Sequence, residues 1–239
     1  MLLDTLLAQQ DWHKPFWKML YFRANEVCYS MAQPSVDQVL IVKEGELLVQ
    51  VQSGTDKMIS TALLNEGNVV NIESLIENSS NGKLEYLLPY QVVALNDAEI
   101  IQIDKEFLLS HLHLDPHNYH RTFEKIITQF IATSFATQIA DRPLAIRIAW
   151  TLFQIAGKAG KSLENGSSIL LPSYVTSELI AQLAQEKEKE VNSTLQTFHL
   201  TGIFTQLKPL ILNFHRLQTY LDNELPFKTS GATKPFSIF

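Results

Sequence analysis

The sequence carries one cysteine, Cys28, in 239 residues. One thiol rules out an internal disulfide and the multi-cysteine cage of an iron–sulfur cluster. Cys28 falls in an alternating apolar segment and reads as a small buried hydrophobe rather than a redox switch. No apolar run approaches the length needed to cross a bilayer. The opening Met1-Leu-Leu-Asp-Thr-Leu-Leu lacks the basic stretch and small-residue cleavage site of a secretory signal, so a cytoplasmic protein with no membrane partner is expected. There is no glycine-rich phosphate loop and no G-x-S-x-G nucleophile elbow. None of the seven histidines falls between Tyr29 and Ile103, and no arginine falls between Arg23 and Arg121. No catalytic residue is assigned, and an enzyme is not expected.

What is present divides by charge. The net charge is −6, but residues 1–141 hold nine basic and eighteen acidic side chains, and residues 142–239 hold ten and seven. An acidic part of −9 is joined to a basic part of +3. That asymmetry fits a sensor module attached to a nucleic-acid module.

Residues 16–108 read as short strands with turn punctuation. Two β-rich runs flank Gly45 within Val39-Leu-Ile-Val-Lys-Glu-Gly-Glu-Leu-Leu-Val-Gln-Val, and further runs follow at 59–64, 84–88, 91–95 and 99–103. Turns fall at Ser53-Gly54, Glu66-Gly67, 79–82 and Asn96-Asp97. This spacing suggests an antiparallel barrel or jelly-roll. From Pro116 to Asp141 the period becomes helical, with Asp115 as N-cap before a first-turn proline. Tyr119, Phe123, Ile126 and Phe130 form one stripe; Ile127, Ile131, Phe135 and Ile139 form a second. Two apolar faces on one helix call for two partners, the roll and a second protomer. A further helix over 143–157 presents Leu144, Ile148, Leu152 and Ile155, and a short closing helix is expected over 215–221.

The segment Thr176 to Phe204 has the spacing of two short helices with a break between them. Leu179, Ile180 and Leu183 share one face; Val191, Leu195 and Phe198 share another after an interruption at 184–187. Thr176 is placed to cap the first helix, and Gly202 to end the second. This arrangement resembles the Crp/Fnr family of bacterial transcription regulators, whose pattern runs T-x-x-x-L-A-x-x-x-G-x-S-R-x-x-V-x-R-x-L-x-x-L-x-x-x-G-x-I. Thr176, Ile180, Ala181, Val191, Leu195, Phe198, Gly202 and Phe204 fill its framework positions. Gln185 replaces the turn glycine, Glu188 stands at the first recognition arginine and Ser193 at the second. The strand run upstream resembles the β-roll of the same family, so the likeness spans about residues 14–221.

The resemblance implies an α+β chain in four parts: a β-roll sensor over 1–115, a dimerisation helix over 116–141, a winged helix-turn-helix over 142–221 and a tail over 222–239. It implies double-stranded DNA as partner, a homodimer as assembly and RNA polymerase as a further contact. DNA-facing positions would be Thr176, Lys187, Glu188, Lys189, Asn192 and Ser193, with Lys208 on the wing. Tyr119, Phe123, Ile126 and Phe130 would form the dimer seam. In members that bind cyclic nucleotide, a Gly-Glu pair takes the ribose and an Arg-Ser pair the phosphate. Here Asn71 and Ile72 fall at the first pair and Leu88 and Pro89 at the second, with Glu73 one residue late and expected on the opposite strand face. A degenerate pocket that does not use cAMP is implied, with no cofactor and the effector left open.

Two alternatives stand beside this reading. Glu186, Glu188 and Glu190 repel phosphate and motivate a relative that works through protein contacts without specific DNA binding. The ladder His111, His113, His117 and His120, with its first pair alternating on an extended segment, motivates a cupin-like metalloprotein. Its spacing matches no specific metal motif, and no metal ligand is assigned.

Overall fold

The computed structural model describes residues 15–33, 37–52, 58–75, 89–163 and 166–225. The chain divides into two compact units, residues 1–133 and 134–239. The first begins with β1 (Trp17–Phe22), β2 (Val27–Ser30), β3 (Gln38–Glu44), β4 (Leu47–Gln52), β5 (Met58–Leu64), β6 (Tyr90–Ala94) and β7 (Ala98–Asp104). They form two antiparallel sheets, ordered β1-β7-β3 and β2-β6-β4-β5. The expected strand at 84–88 and the turns at Ser53-Gly54 and 79–82 lie outside the described residues.

The unbroken apolar run in β3 follows from burial on both faces. Leu40 and Val42 point between the sheets, packing with Leu47, Leu64, Val92 and Ile100. Val39 and Ile41 point the other way, with Ile101, Ile103, Phe107 and Leu108. The reversal from β3 into β4 demands glycine. Gly45 has φ +92, and a Cβ there would stand 2.7 Å from the carbonyl oxygen of Asp97.

Two helices follow, α1 (Lys105–Leu114) and α2 (Pro116–Gln138). The first corrects the extended reading of the histidine ladder. Asp104 ends β7 and caps α1, accepting the Phe107 N–H at 2.9 Å. Phe107, Leu108 and Leu112 are buried by the helix. His111 and His113 therefore sit on a helix, with His111 Nδ1 2.9 Å from the Phe107 carbonyl. Among the described residues no cluster of three or more His, Cys, Asp or Glu side chains could hold a metal ion. Asp115 accepts the His117 N–H at 3.0 Å at the start of α2.

The face assignment of α2 needs a second correction. Ile126 packs against the roll core of Ile41, Val69 and Phe107, and Gln129 bonds both backbone polar groups of Val69. Tyr119, Phe123, Ile127, Phe130 and Ile131 are 40 to 65% exposed. The outward stripe thus gains Ile127 and Ile131 and loses Ile126, which lies at its edge and turns inward. The side chain of Phe135 lies outside the described residues.

The second unit contains α3 (Leu144–Ala159), β8 (Lys161–Ser162), β9 (Ser168–Leu170), α4 (Ser177–Ala184), α5 (Glu188–Leu200), β10 (Phe204–Leu207), β11 (Leu210–Asn213) and α6 (Phe214–Glu224). Its sheet is antiparallel in the order β10-β11-β9-β8. Ile148, Leu152 and Ile155 on α3 are fully buried, as are Ile180, Val191, Leu212 and Leu217. α6 continues past the expected end at Leu221 to Glu224, and residues 226–239 lie outside the described residues. No helix of the described chain is long and apolar enough to cross a membrane.

Candidate functional site

Local chemistry sets the geometry of α4 and α5. Thr176 has an extended backbone, and its hydroxyl accepts the Leu179 N–H at 3.2 Å, which starts α4. Leu179, Ile180, Ala181 and Ala184 are buried. Gln185 ends α4 in the left-handed conformation (φ 52, ψ 50), so a side chain occupies a position that favours glycine. Lys187 then begins α5 as an N-cap with no side-chain cap bond.

α5 buries Val191, Leu195 and Phe198. It ends with the paired hydrogen bonds of a glycine C-cap: Ile203 N–H to the Phe198 carbonyl at 2.8 Å, and Gly202 N–H to His199 at 3.0 Å. Gly202 has φ +76. The guanidinium of Arg216 lies over it and bonds the Thr201 carbonyl at 3.1 Å.

The candidate nucleic-acid residues on α5 reach solvent together. Lys187, Glu188, Lys189, Asn192 and Ser193 are all exposed, and Lys208 is exposed at the turn between β10 and β11. Gln196 is also exposed, one turn beyond Asn192. Only the helical period from Asn192 could have found it, because no motif position marks it. Ser193 borders a cleft of about 650 Å³ with Thr197, Thr201, Arg216, Thr219 and Tyr220. It stands at the margin of the outward face.

Two acidic residues of this region, Glu186 and Glu188, have internal partners. The Ser177 hydroxyl donates to Glu188 at 2.5 Å. Arg147, from α3, donates to Glu186 at 3.1 Å and to the Ala184 carbonyl at 2.5 Å. The Glu186 carboxyl is held below its ordinary range first by the Lys187 amide and then by Arg147. Carboxylates at Glu188 and Glu190 in the first turn of α5 also complement the helix dipole.

In the roll, the expected pocket positions take unexpected roles. Asn71 is fully buried and bridges the chain to β3, accepting the Leu40 N–H at 2.8 Å and donating to the Gln38 carbonyl at 2.8 Å. Ile72 opens a 3-10 turn, Ile72–Leu75, and Glu73 is buried within it at 4% exposure. Glu73 is not on the outer face of a strand. Its two carboxylate oxygens accept the hydroxyls of Tyr29 and Tyr90. Burial raises both phenol pKa values above the ordinary one, and the hydrogen bond to Glu73 raises them further. Pro89 is exposed just before β6, and its carbonyl accepts the Gln52 N–H at 2.8 Å. Leu88 lies outside the described residues. The partners of Glu73 are 44 and 17 residues away, so sequence spacing holds no sign of the triad.

No protein-family model matches the sequence, and no curated protein matches it. Solved structures do match in fold. A cyclic nucleotide-binding domain containing protein from Listeria monocytogenes EGD-e aligns with 90% of this chain and 99% of its own, at 16% identity and a TM-score of 0.75. A CooA mutant from Carboxydothermus hydrogenoformans aligns with 92% of this chain and 95% of its own, at 16% identity and a TM-score of 0.66. A CRP-family transcriptional regulator from Thermus thermophilus aligns with 84% of this chain and 96% of its own, at 16% identity and a TM-score of 0.62. The chain therefore has the mixed helical and antiparallel-sheet fold of CRP/FNR regulators over most of its length.

Proposed function

We propose that the chain is a Crp/Fnr-type transcription regulator: a cytoplasmic homodimer that binds double-stranded DNA sequence-specifically through α5 and does not use cAMP. The observation that carries this reading is the pair α4 and α5 with the β10–β11 hairpin, following a two-sheet roll in the chain. Thr176 and Gly202 cap the pair, buried Val191, Leu195 and Phe198 hold α5 to its unit, and the opposite face offers Lys189, Asn192 and Gln196 to solvent. That is the geometry by which a winged helix-turn-helix presents base-reading side chains to the major groove. Asn192 can read adenine through N6 and N7, and Lys189 supplies the cation for guanine or phosphate. With Glu188 and Ser193 where the resembled family carries arginines, the favoured site is a two-fold repeat richer in A·T. The hairpin turn at Lys208 would contact phosphate as the wing.

A dimer is supported by the exposed aromatic stripe of α2, which leaves Tyr119, Phe123 and Phe130 about half to two thirds exposed. A roll without cyclic nucleotide is supported by Asn71 and Glu73, whose polar groups are already paired inside the protein. RNA polymerase would be the further partner of such a regulator, and the effector stays open. The competing reading, action through protein contacts, draws on Glu186, Glu188 and Glu190. It is weakened by the Arg147 and Ser177 partners of the first two.

Selection of bound duplexes from a random pool at low salt tests the proposal. Enrichment of a two-fold repeat is the expected outcome. Recovery of unenriched DNA, or of none, would favour the protein-contact reading.

A further inference from the structure

The turn between α4 and α5 carries local strain. Gln185 holds a left-handed backbone, which an L side chain adopts only at a cost, and it is flanked by two more non-glycine residues. The α5 N-cap, Lys187, has no side-chain cap bond. The backbone closes the turn with the Glu186 N–H on the Ala181 carbonyl at 3.0 Å and the Gln185 N–H on the Gln182 carbonyl at 3.3 Å, and a side chain from outside adds to that hold.

Arg147 supplies that side chain from α3. Its side chain is 17% exposed. One terminal nitrogen donates to the carbonyl of Ala184, the last residue of α4, and the other to the carboxylate of Glu186. The second oxygen of Glu186 accepts the Lys187 N–H at 3.1 Å, at the mouth of α5. A planar fork thus grips both sides of Gln185 and reaches the start of the next helix through one carboxylate. Arg147 Nε is buried with no hydrogen-bond partner among the described residues, so burying this side chain is costly, and the turn contacts are what offset it.

We propose that Arg147 is a positioning residue for DNA binding, clamping the α4–α5 turn that Gln185 strains and so fixing the angle at which α5 is presented. The inference rests on the DNA-binding reading above and adds a residue remote from the proposed DNA face. It also assigns Glu186 to the clamp rather than to repulsion of phosphate.

The full-length protein is compared with Arg147→Met, Gln185→Gly and the double variant. Affinity for the selected duplex is measured by anisotropy, and hydrogen exchange at the Glu186 and Lys187 amides is measured without DNA. Arg147→Met is expected to weaken binding at least tenfold in the wild-type background. With Gln185→Gly, whose glycine holds the left-handed turn unaided, the loss should shrink below threefold. Exchange at the two amides should rise at least tenfold in Arg147→Met. Equal loss in both backgrounds, or unchanged exchange, overturns the clamp. If no duplex binds the wild type while exchange responds as stated, the DNA-binding reading fails and the clamp stands. Arg147→Lys keeps the charge without the fork and makes the same comparison if Arg147→Met does not fold.

Discussion

Gln129 on α2 and Val69 in the roll exchange two hydrogen bonds: the Val69 N–H donates to Oε1 at 3.2 Å, and Nε2 donates to the Val69 carbonyl at 2.9 Å. This amide pair fixes the rotation of the helix. It sends Ile126 into the roll core and leaves Tyr119 and Phe123 outward, their rings stacked at 6.3 Å. The two stripes of the helix therefore have separable roles.

Phe130→Glu, on the outward stripe, should give monomers in light scattering at micromolar concentration with little change in the melting of the roll, because it places an unpaired charge in the proposed seam. Ile126→Glu should instead lower the roll's stability by about 3 kcal/mol or more through charge burial. A Phe130→Glu protein that stays dimeric would remove the seam.

Glu73 makes the roll dependent on two tyrosines. Tyr90→Phe deletes a donor to a buried carboxylate and should cost about 1.5–3 kcal/mol in chemical denaturation. The phenols are also a pH device. Their folded pKa values are raised, by burial first and by Glu73 second. Their contribution is therefore fully present below the unfolded tyrosine value of about 10 and is lost as pH rises beyond it. Stability that falls above about pH 10 in wild type, and falls less in Tyr29→Phe, is the expected pattern; identical profiles would contradict it.

Millimolar cAMP or cGMP should leave the melting temperature unchanged, since a ligand that binds only the folded state must raise it. Asn71 is engaged by the backbone of β3 and Glu73 by tyrosine hydroxyls. A rise of several degrees would show that these groups exchange partners for a nucleotide.

Burial pushes the Cys28 thiol up to about 12. At pH 8 its thiolate fraction is then roughly a thousandfold below that of an ordinary cysteine, so iodoacetamide labelling of the native protein should be slower by that order than after unfolding. Labelling at equal rates would make Cys28 a reactive site instead of part of the roll's apolar packing.

Much of this architecture is legible in the sequence, for identifiable reasons. Periodicity exposes β3 and β4 around Gly45, and short-range capping chemistry exposes Thr176 and Gly202, because both signals are local. α1 is hidden because His111, Leu112, His113 and Leu114 alternate polar and apolar residues as a strand would, while the deciding signal is one cap at Asp104. Ile126 misleads because it sits at the edge of its stripe, where only the roll behind it decides which way it points. The partners of Glu73 and of Arg147 are invisible because they are set by tertiary packing: Tyr29 is 44 residues from Glu73, and Glu186 is 39 from Arg147.

Sequence-specific recognition through α5 is tested by an anisotropy titration at low salt of wild type, Lys189→Ala and Asn192→Ala against the selected duplex and a random one. Wild type is expected to prefer the selected duplex, and each substitution to cost about 1–3 kcal/mol on that duplex while leaving the random one nearly unchanged. Affinity for both should fall steeply with salt. Equal binding of all three proteins to both duplexes, or no binding at all, would contradict sequence-specific recognition through α5.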